Sequence, residues 1–450
     1  MAHADPSSEL ATKPLGRLLL RFAIPSIFAQ IVNLLYNIVD RIFVGRIPEI
    51  GPLALAGLGV AFPIILIISS FSFLAGMGGA PLASIAMGRG DNAKAERILG
   101  SACVFLLAMS VVLTVLCFWA MRPMLLMFGA SEQTIGYAVD YFSLYLLGTP
   151  AVQLSLGLNY YISCQGFAKT SMMTVLIGAA LNIILDPIFI YGLDMGCKGA
   201  ALATICSQAV SAVWIFAFFF GKRTVLHFRR QYLRLDLKEL VPVILLGLSP
   251  FFVQVTDCIV PLVMNAGMQQ YGNDYVSTMT VMFSIEQLLR LPADGLCQGA
   301  VPIMSTTTAR QTRTREEDLF PHPAFSFGFT TIASWLILLF PKTFIMPFTD
   351  SQRLIEITIP AIRICFGGVF IGVLYACQRT FMALGRTKLS LLGAMMRKLV
   401  ILLPLCSSSP GRLWDGRPAL CGMHRRRPGL RHCICDFHLN GNRCSKPPNA

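Results

Sequence analysis

LALAGLGVAFPIILIISSFSFLAGMGGAPLASIAM, running from Leu53 to Met87, contains no charged side chain. A helix needs about 20 mostly apolar residues to cross the hydrocarbon core of a bilayer, and this run exceeds that unaided. Comparable runs recur at 18–44, 98–120, 137–163, 171–192, 199–221, 240–265, 276–304, 325–348, 355–383 and 389–405. The linkers between them carry turn residues: Gly45 to Pro52, Gly88 to Asn92, Gly192 to Gly199, and Gly272-Asn273. Soluble helical cores do not repeat apolar runs of this length. The expected fold is an all-α polytopic membrane protein.

Composition agrees with that reading. The chain has 450 residues, 55% hydrophobic and 13% charged, with a mean hydropathy of +0.64. Soluble domains carry about a quarter charged residues, so intrinsic disorder is excluded and a water-soluble enzyme disfavoured. Lys and Arg number 37 against 23 Asp and Glu, a net charge of +14. In a soluble protein that balance would suggest nucleic acid. Here the basic residues sit between apolar runs or in the last 45 residues, and no nucleic-acid partner is expected. Of fourteen cysteines, five (Cys406, Cys421, Cys433, Cys435, Cys444) fall in that final stretch. The others are scattered through apolar runs, where cysteine behaves as a small hydrophobe, so no disulfide framework emerges. Met1 to Lys13 is polar and lacks the apolar core of a signal peptide.

Short loops give the orientation, because cytoplasmic loops are enriched in Lys and Arg. One set holds Arg89, Lys94 and Arg97, then Lys169, then Lys222, Arg223, Arg229, Arg230, Arg234 and Lys238; the alternate set holds only Arg46, Arg122, Lys198 and Lys342. The N-terminus is therefore expected in the cytoplasm. The halves also resemble each other. Phe128-Gly-Ala-Ser-Glu matches Phe348-Thr-Asp-Ser-Gln, Ala168-Lys-Thr matches Gly385-Arg-Thr, and Gly79-Ala-Pro resembles Gly299-Ala-Val-Pro. Gln30 and Asn33 align with Gln254 and Asp257. An even number of spans per half makes these direct repeats, a common transporter plan. The expected division is a cytoplasmic segment 1–17, an N-terminal six-helix lobe 18–221, a cytoplasmic linker 222–239 and a C-terminal lobe 240–405. Twelve helices would complete two lobes, with the last one or two disrupted.

Chemistry must lie in the few polar side chains kept at membrane depth. Gln30, Asn33, Asn37 and Asp40 are spaced three or four apart, which puts them on one helix face. An ionisable residue at the bilayer centre costs at least about 2.5–3.5 kcal/mol, so it normally meets a wet cavity or a partner. Asp40 could instead pair with Arg41 or Arg46 at the interface. Asn182 and Asp186 share a face, and Pro187 loosens the backbone beside the carboxylate. That suits a proton or a cation; an interfacial helix end is the alternative. Pro25 is a candidate hinge or a tolerated kink. Asp257 offers a second acidic point, and Glu286, one turn from Arg290, either joins it or is neutralised locally. There is no phosphate-binding Gly-Lys-Ser/Thr loop, His-Glu-x-x-His or nucleophile elbow, so neither an enzyme nor an ATP-driven pump is expected. Cys421-x-x-His424 and His432-Cys433-x-Cys435-x-x-His438 have irregular spacings for zinc, and no metal is expected beyond a sodium ion at the coupling site.

With these residues in place, the chain resembles the multidrug and toxic compound extrusion (MATE) family. The resemblance rests on Pro25-Ser-Ile-Phe-Ala-Gln-x-x-Asn-x-x-Tyr-Asn-Ile-Val-Asp40 with Phe43-Val-Gly45. It continues through Gly79-Ala-Pro81, Gly88-Arg-Gly-Asp91 with Ala95-Glu-Arg97, Asn182-Ile-Ile-Leu-Asp-Pro187, and Gly199-Ala-Ala-Leu-Ala-Thr204. It covers roughly 14–405 and is strongest in the N-terminal half. It implies two six-helix lobes exporting cationic, amphipathic organic compounds in exchange for sodium ions or protons, with no cofactor. The coupling role carries over onto Asp40, Asn182 and Asp186, leaving Gln30, Asn33, Asn37, Asp257 and Glu286 as cavity or accessory residues. The implied setting is the cell membrane, as in the bacterial inner membrane, with lipid around a monomer. A lipid-precursor flippase of the same superfamily and a non-transporting product of a damaged gene are the alternatives.

Two stretches depart from the family pattern. Ser305 to Asp318 followed by Phe320-Pro-His-Pro323 replaces a basic amphipathic linker, and the segment Arg310–Pro323 is expected to be locally out of frame. From Cys406 the composition turns to Arg, Pro, Cys, Gly and Ser, where two more apolar segments are due. Residues 406–450 are therefore expected to be a frameshifted tail.

Overall fold

A computed structural model describes residues 15–269, 335–346 and 352–366, with single positions 278, 281, 282, 285, 287, 295, 332, 388, 389 and 392. Glu286, the stretch Arg310–Pro323 and the tail 406–450 lie outside the described residues. In chain order the helices are α1 (Leu15–Gly45), α2 (Gly51–Gly88), α3 (Asn92–Met127), α4 (Ile135–Leu147), α5 (Thr149–Cys164), α6 (Ala168–Pro187) and α7 (Cys197–Phe220). They are followed by α8 (Leu237–Gln269), α9 (Pro341–Ile345) and α10 (Gln352–Phe366). No strand occurs among the described residues. Six stretches are long and apolar enough to cross a membrane: Arg21–Gly45, Leu53–Gly88, Asn92–Met127, Ala168–Gly192, Cys197–Phe220 and Leu237–Ile259. The chain is a multi-pass membrane protein.

The outer surface explains why. On α1, Ile24, Phe28, Ile31, Leu35, Ile38 and Ile42 are all exposed, and their alternating spacing of four and three draws one stripe along the helix. Trp119, Met127 and Phe220 are among the most exposed apolar side chains elsewhere. Such a surface suits contact with lipid.

Inside the bundle, α2 lies centrally and small residues set how near its neighbours come. A Cβ on Gly76 would stand 2.9 Å from the Gly157 Cα of α5, and one on Gly78 would stand 2.9 Å from the Gly247 Cα of α8. Close backbone approach of this kind replaces the hydrophobic drive that helices lack within a membrane. Two buried clusters result. One gathers Val44, Leu58, Leu125, Phe142 and Ile190 near the Gly45–Gly51 turn. The other gathers Leu99, Leu158, Tyr161, Phe219 and Leu226 near the opposite end of the bundle.

The run 137–163, expected as a single span, is two helices that meet at Gly148. Pro150 has no N–H to offer the Leu146 carbonyl four residues back, and that carbonyl accepts from Thr114 Oγ1 of α3 at 3.0 Å instead. Gly148 itself packs against Ile205 of α7 so closely that a Cβ would overlap its side chain. The break is thus satisfied by partners that the local sequence does not reveal.

The segment joining α7 to α8 is pinned to the bundle. Gln165 Oε1 accepts from Val225 N at 2.8 Å and Leu226 N at 3.0 Å. The buried Glu96 of α3 pairs with Arg229 Nε at 2.6 Å and accepts from His227 N at 3.3 Å. Ser101 Oγ donates to the Arg234 carbonyl at 3.0 Å. Asp91 begins α3, its side chain accepting from Lys94 N at 2.9 Å, a helix N-cap.

Candidate functional site

The polar residues of α1 stand across the helix from its lipid-facing stripe. With 3.6 residues per turn, Gln30, Asn33, Asn37 and Asp40 fall on the face opposite Ile24, Phe28, Ile31 and Leu35. Along that line Gln30 and Asn37 are half-buried and Asn33 is exposed. Near the end of that line Asp40 is buried, at 8% exposure. Arg41, its neighbour in sequence, lies over the Phe62 ring at 4.3 Å from the centroid. Asp40 forms no ion pair with a described residue, and its Oδ1 has no hydrogen-bond partner among them.

Helix α6 supplies the facing group. Asn182 and Asp186 are one turn apart and both buried. Asn182 Nδ2 donates to Asp186 Oδ1 at 3.3 Å and reaches Thr204 Oγ1 of α7 at 3.4 Å. Asp186 Oδ2 and Asn182 Oδ1 are left without partners among the described residues. Asp40 and Asp186 lie within electrostatic reach of each other. Tyr36 of α1 lies near both carboxylates, and Tyr141 of α4 lies near Asp40 and Thr204.

Local sequence chemistry builds this corner. Pro187 cannot donate an amide, and the chain after it winds as one π turn, Ile188–Gly192. Such turns collect at functional positions. The turn is tied back to α1 by Tyr191 Oη, which donates to the Phe43 carbonyl at 2.7 Å. The edge-to-face contact of the Phe43 and Tyr191 rings, at 6.3 Å, reinforces it. The carboxylate of α6 is thereby held against the end of α1.

The structure thus brings Asp40, Asn182 and Asp186 together. Asn37 turns back to the Asn33 carbonyl of its own helix, at 2.6 Å. Asn33 is exposed and Gln30 half-buried on the same face, and neither joins the carboxylate cluster. Asp257 is half-buried on α8. Pro25 is buried within α1, which continues through it, and Ser26 Oγ donates to the Phe22 carbonyl at 3.0 Å. Sequence reasoning missed Tyr36, Tyr141 and Thr204. Tyr36 carried a signal, since it precedes Asp40 by one helical turn. Thr204 closed a quoted motif without a role, and nothing local marks Tyr141.

Three buried acceptor oxygens (Asp40 Oδ1, Asn182 Oδ1 and Asp186 Oδ2) thus lack partners among the described residues. Buried carboxylates need a positive charge or a proton. A hard cation such as sodium takes oxygen donors of this type, and so does a proton. These oxygens can accept a cation or a proton.

Comparison with known proteins extends this geometry to the whole chain. The family model described as MatE matches residues 25–188 and again 250–407. The double match shows the two halves to be direct repeats. The multidrug export protein MepA of Staphylococcus saprophyticus is 25% identical over 287 residues, 64% of this chain and 63% of that protein. The chain thus spans less than two thirds of that relative. MepA of Staphylococcus aureus N315 is 22% identical over 409 residues, 89% of this chain and 90% of its own length. A solved structure described as MATE in the bent conformation superposes with a TM-score of 0.80 at 23% identity, covering 88% of each chain. With Asp40, Asn182 and Asp186 in one corner and the family model matching both halves, the chain belongs to the MatE family.

Proposed function

We propose that this protein is a secondary active antiporter that exports cationic, amphipathic organic compounds in exchange for sodium ions or protons. The observation that carries this reading is the set of unpartnered oxygens on Asp40, Asn182 and Asp186, buried where α1 packs on α6. A cation or proton entering there meets carboxylate oxygens that no described residue pairs with. Ion binding favours one state of alternating access and drug binding the other, so each drives release of its counterpart. The names of the staphylococcal relatives support drug export. The setting that goes with this reading is a bacterial inner membrane, a cytoplasmic N-terminus and a monomer.

The decisive experiment is ethidium efflux from proteoliposomes, with sodium and pH gradients imposed separately. Efflux driven by one gradient identifies the coupling ion. No efflux under either, from protein that is folded and inserted, defeats the antiporter reading. One observation favours an impaired product instead: the apolar pattern stops at Cys406 and the family match ends at 407. Resequencing the locus decides that point, because an apolar reading in a neighbouring frame is what a frameshift requires.

A further inference from the structure

The segment joining α7 to α8 has two sides of different chemistry. Its inward side is committed to the bundle through Glu96, Gln165 and Ser101. Phe228 meets Phe216 at a tilt and Phe219 edge-to-face, at 5.5 and 5.1 Å between centroids. Tyr232 sits so close to Gly100 that its carbonyl would overlap a Cβ there. Its outward side is cationic. Lys222, Arg223, Arg230, Arg234 and Lys238 are exposed, and none of them pairs with an acidic group among the described residues. Arg229, the one cation of this segment that is paired, is held by Glu96.

Leucines alternate with those cations. Leu233, Leu235 and Leu237 are 43%, 49% and 68% exposed. Leu237 opens a line on α8 that continues one turn apart through Val241 and Leu245, both exposed. That line is the lipid face of a spanning helix, and the leucines extend it past the helix start. Phe220, at the other junction, is 70% exposed. The segment joins two spanning helices at one end of the bundle, so it lies at the membrane surface.

We propose that residues 230–238 form a binding site for the headgroups of anionic phospholipids. Arg230, Arg234 and Lys238 meet the phosphates, while Leu233, Leu235 and Leu237 enter the boundary between headgroup and acyl chain. Basic residues beside apolar ones at the interface are the chemistry that recognises such lipids. An acidic soluble partner would answer the charges but not the continuity of the leucines with the lipid face of α8. Because the backbone is already pinned, little ordering remains to oppose binding.

The test uses the full chain in detergent, scored by native mass spectrometry for retained phosphatidylglycerol and, separately, phosphatidylcholine. The variant Arg230→Gln/Arg234→Gln/Lys238→Gln should weaken phosphatidylglycerol retention by about fivefold per charge removed, the equivalent of about 1 kcal/mol each. Phosphatidylcholine retention should not change. Leu233→Ser/Leu235→Ser should also weaken phosphatidylglycerol retention, and glycerol phosphate, which lacks acyl chains, should compete poorly. Unchanged phosphatidylglycerol retention in the charge variant, equal loss of both lipids, or full competition by glycerol phosphate would each overturn the proposal. A thermal midpoint equal to wild type confirms that the variants are folded, since none of the substituted side chains is buried.

Discussion

Two places in this molecule bury carboxylates, and they treat them in opposite ways. Glu96, 4% exposed, meets Arg229 and the His227 amide. Its charge is answered, and the contact fastens the segment between α7 and α8. Asp40 and Asp186 are just as buried, yet each has an oxygen with no described partner, and each adds to the negative field of the other. Burial alone therefore does not mark a functional group. A structural carboxylate arrives with its counter-charge built in; on the proposed reading, Asp40 and Asp186 take theirs from the transported ion.

The sharpest break in that comparison would come from neutralising each site. Asp40→Asn and Asp186→Asn should each abolish ion-coupled efflux while membrane insertion and thermal midpoint stay equal to wild type or rise, because a costly buried charge has been removed. Wild-type ethidium efflux in either variant would remove that residue from the mechanism. Arg229→Ala should do the reverse. It strands Glu96 in a buried position and should cost about 2 kcal/mol of stability, a figure already reduced because Arg229 is more than half exposed. Efflux per folded molecule should persist; a variant that folds normally but no longer transports would contradict the structural assignment of this pair.

Smaller effects grade the polar surroundings. Asn182→Ala removes an amide from Asp186 and a potential ion ligand, and should slow efflux roughly tenfold, the scale of one hydrogen bond to a charged group. Glu96→Gln leaves Arg229 free to turn to water, so its cost should be about 1 kcal/mol, below that of Arg229→Ala. Chemical denaturation of the two variants side by side measures the difference, and an inverted order would mean that the guanidinium is the buried partner. Asn33→Ala, exposed and outside the cluster, should change stability by no more than about 0.5 kcal/mol.

Much of this architecture was legible in the chain alone, because its causes are local. Long apolar runs imply spans wherever they occur, and the spacing of Gln30, Asn33, Asn37 and Asp40 implies one face whatever packs on it. The four-residue gap between Asn182 and Asp186 likewise puts both on one side of α6, and Pro187 announces the disturbed turn that follows. What the tertiary structure alone decided are the partners. Thr114 finds the carbonyl freed by Pro150, Tyr141 and Thr204 join the corner from α4 and α7, and Glu96 meets a segment whose His227 lies 131 residues away. Helix periodicity says which way a side chain points. Only the packed bundle says what stands there, and so whether a buried charge meets a counter-charge.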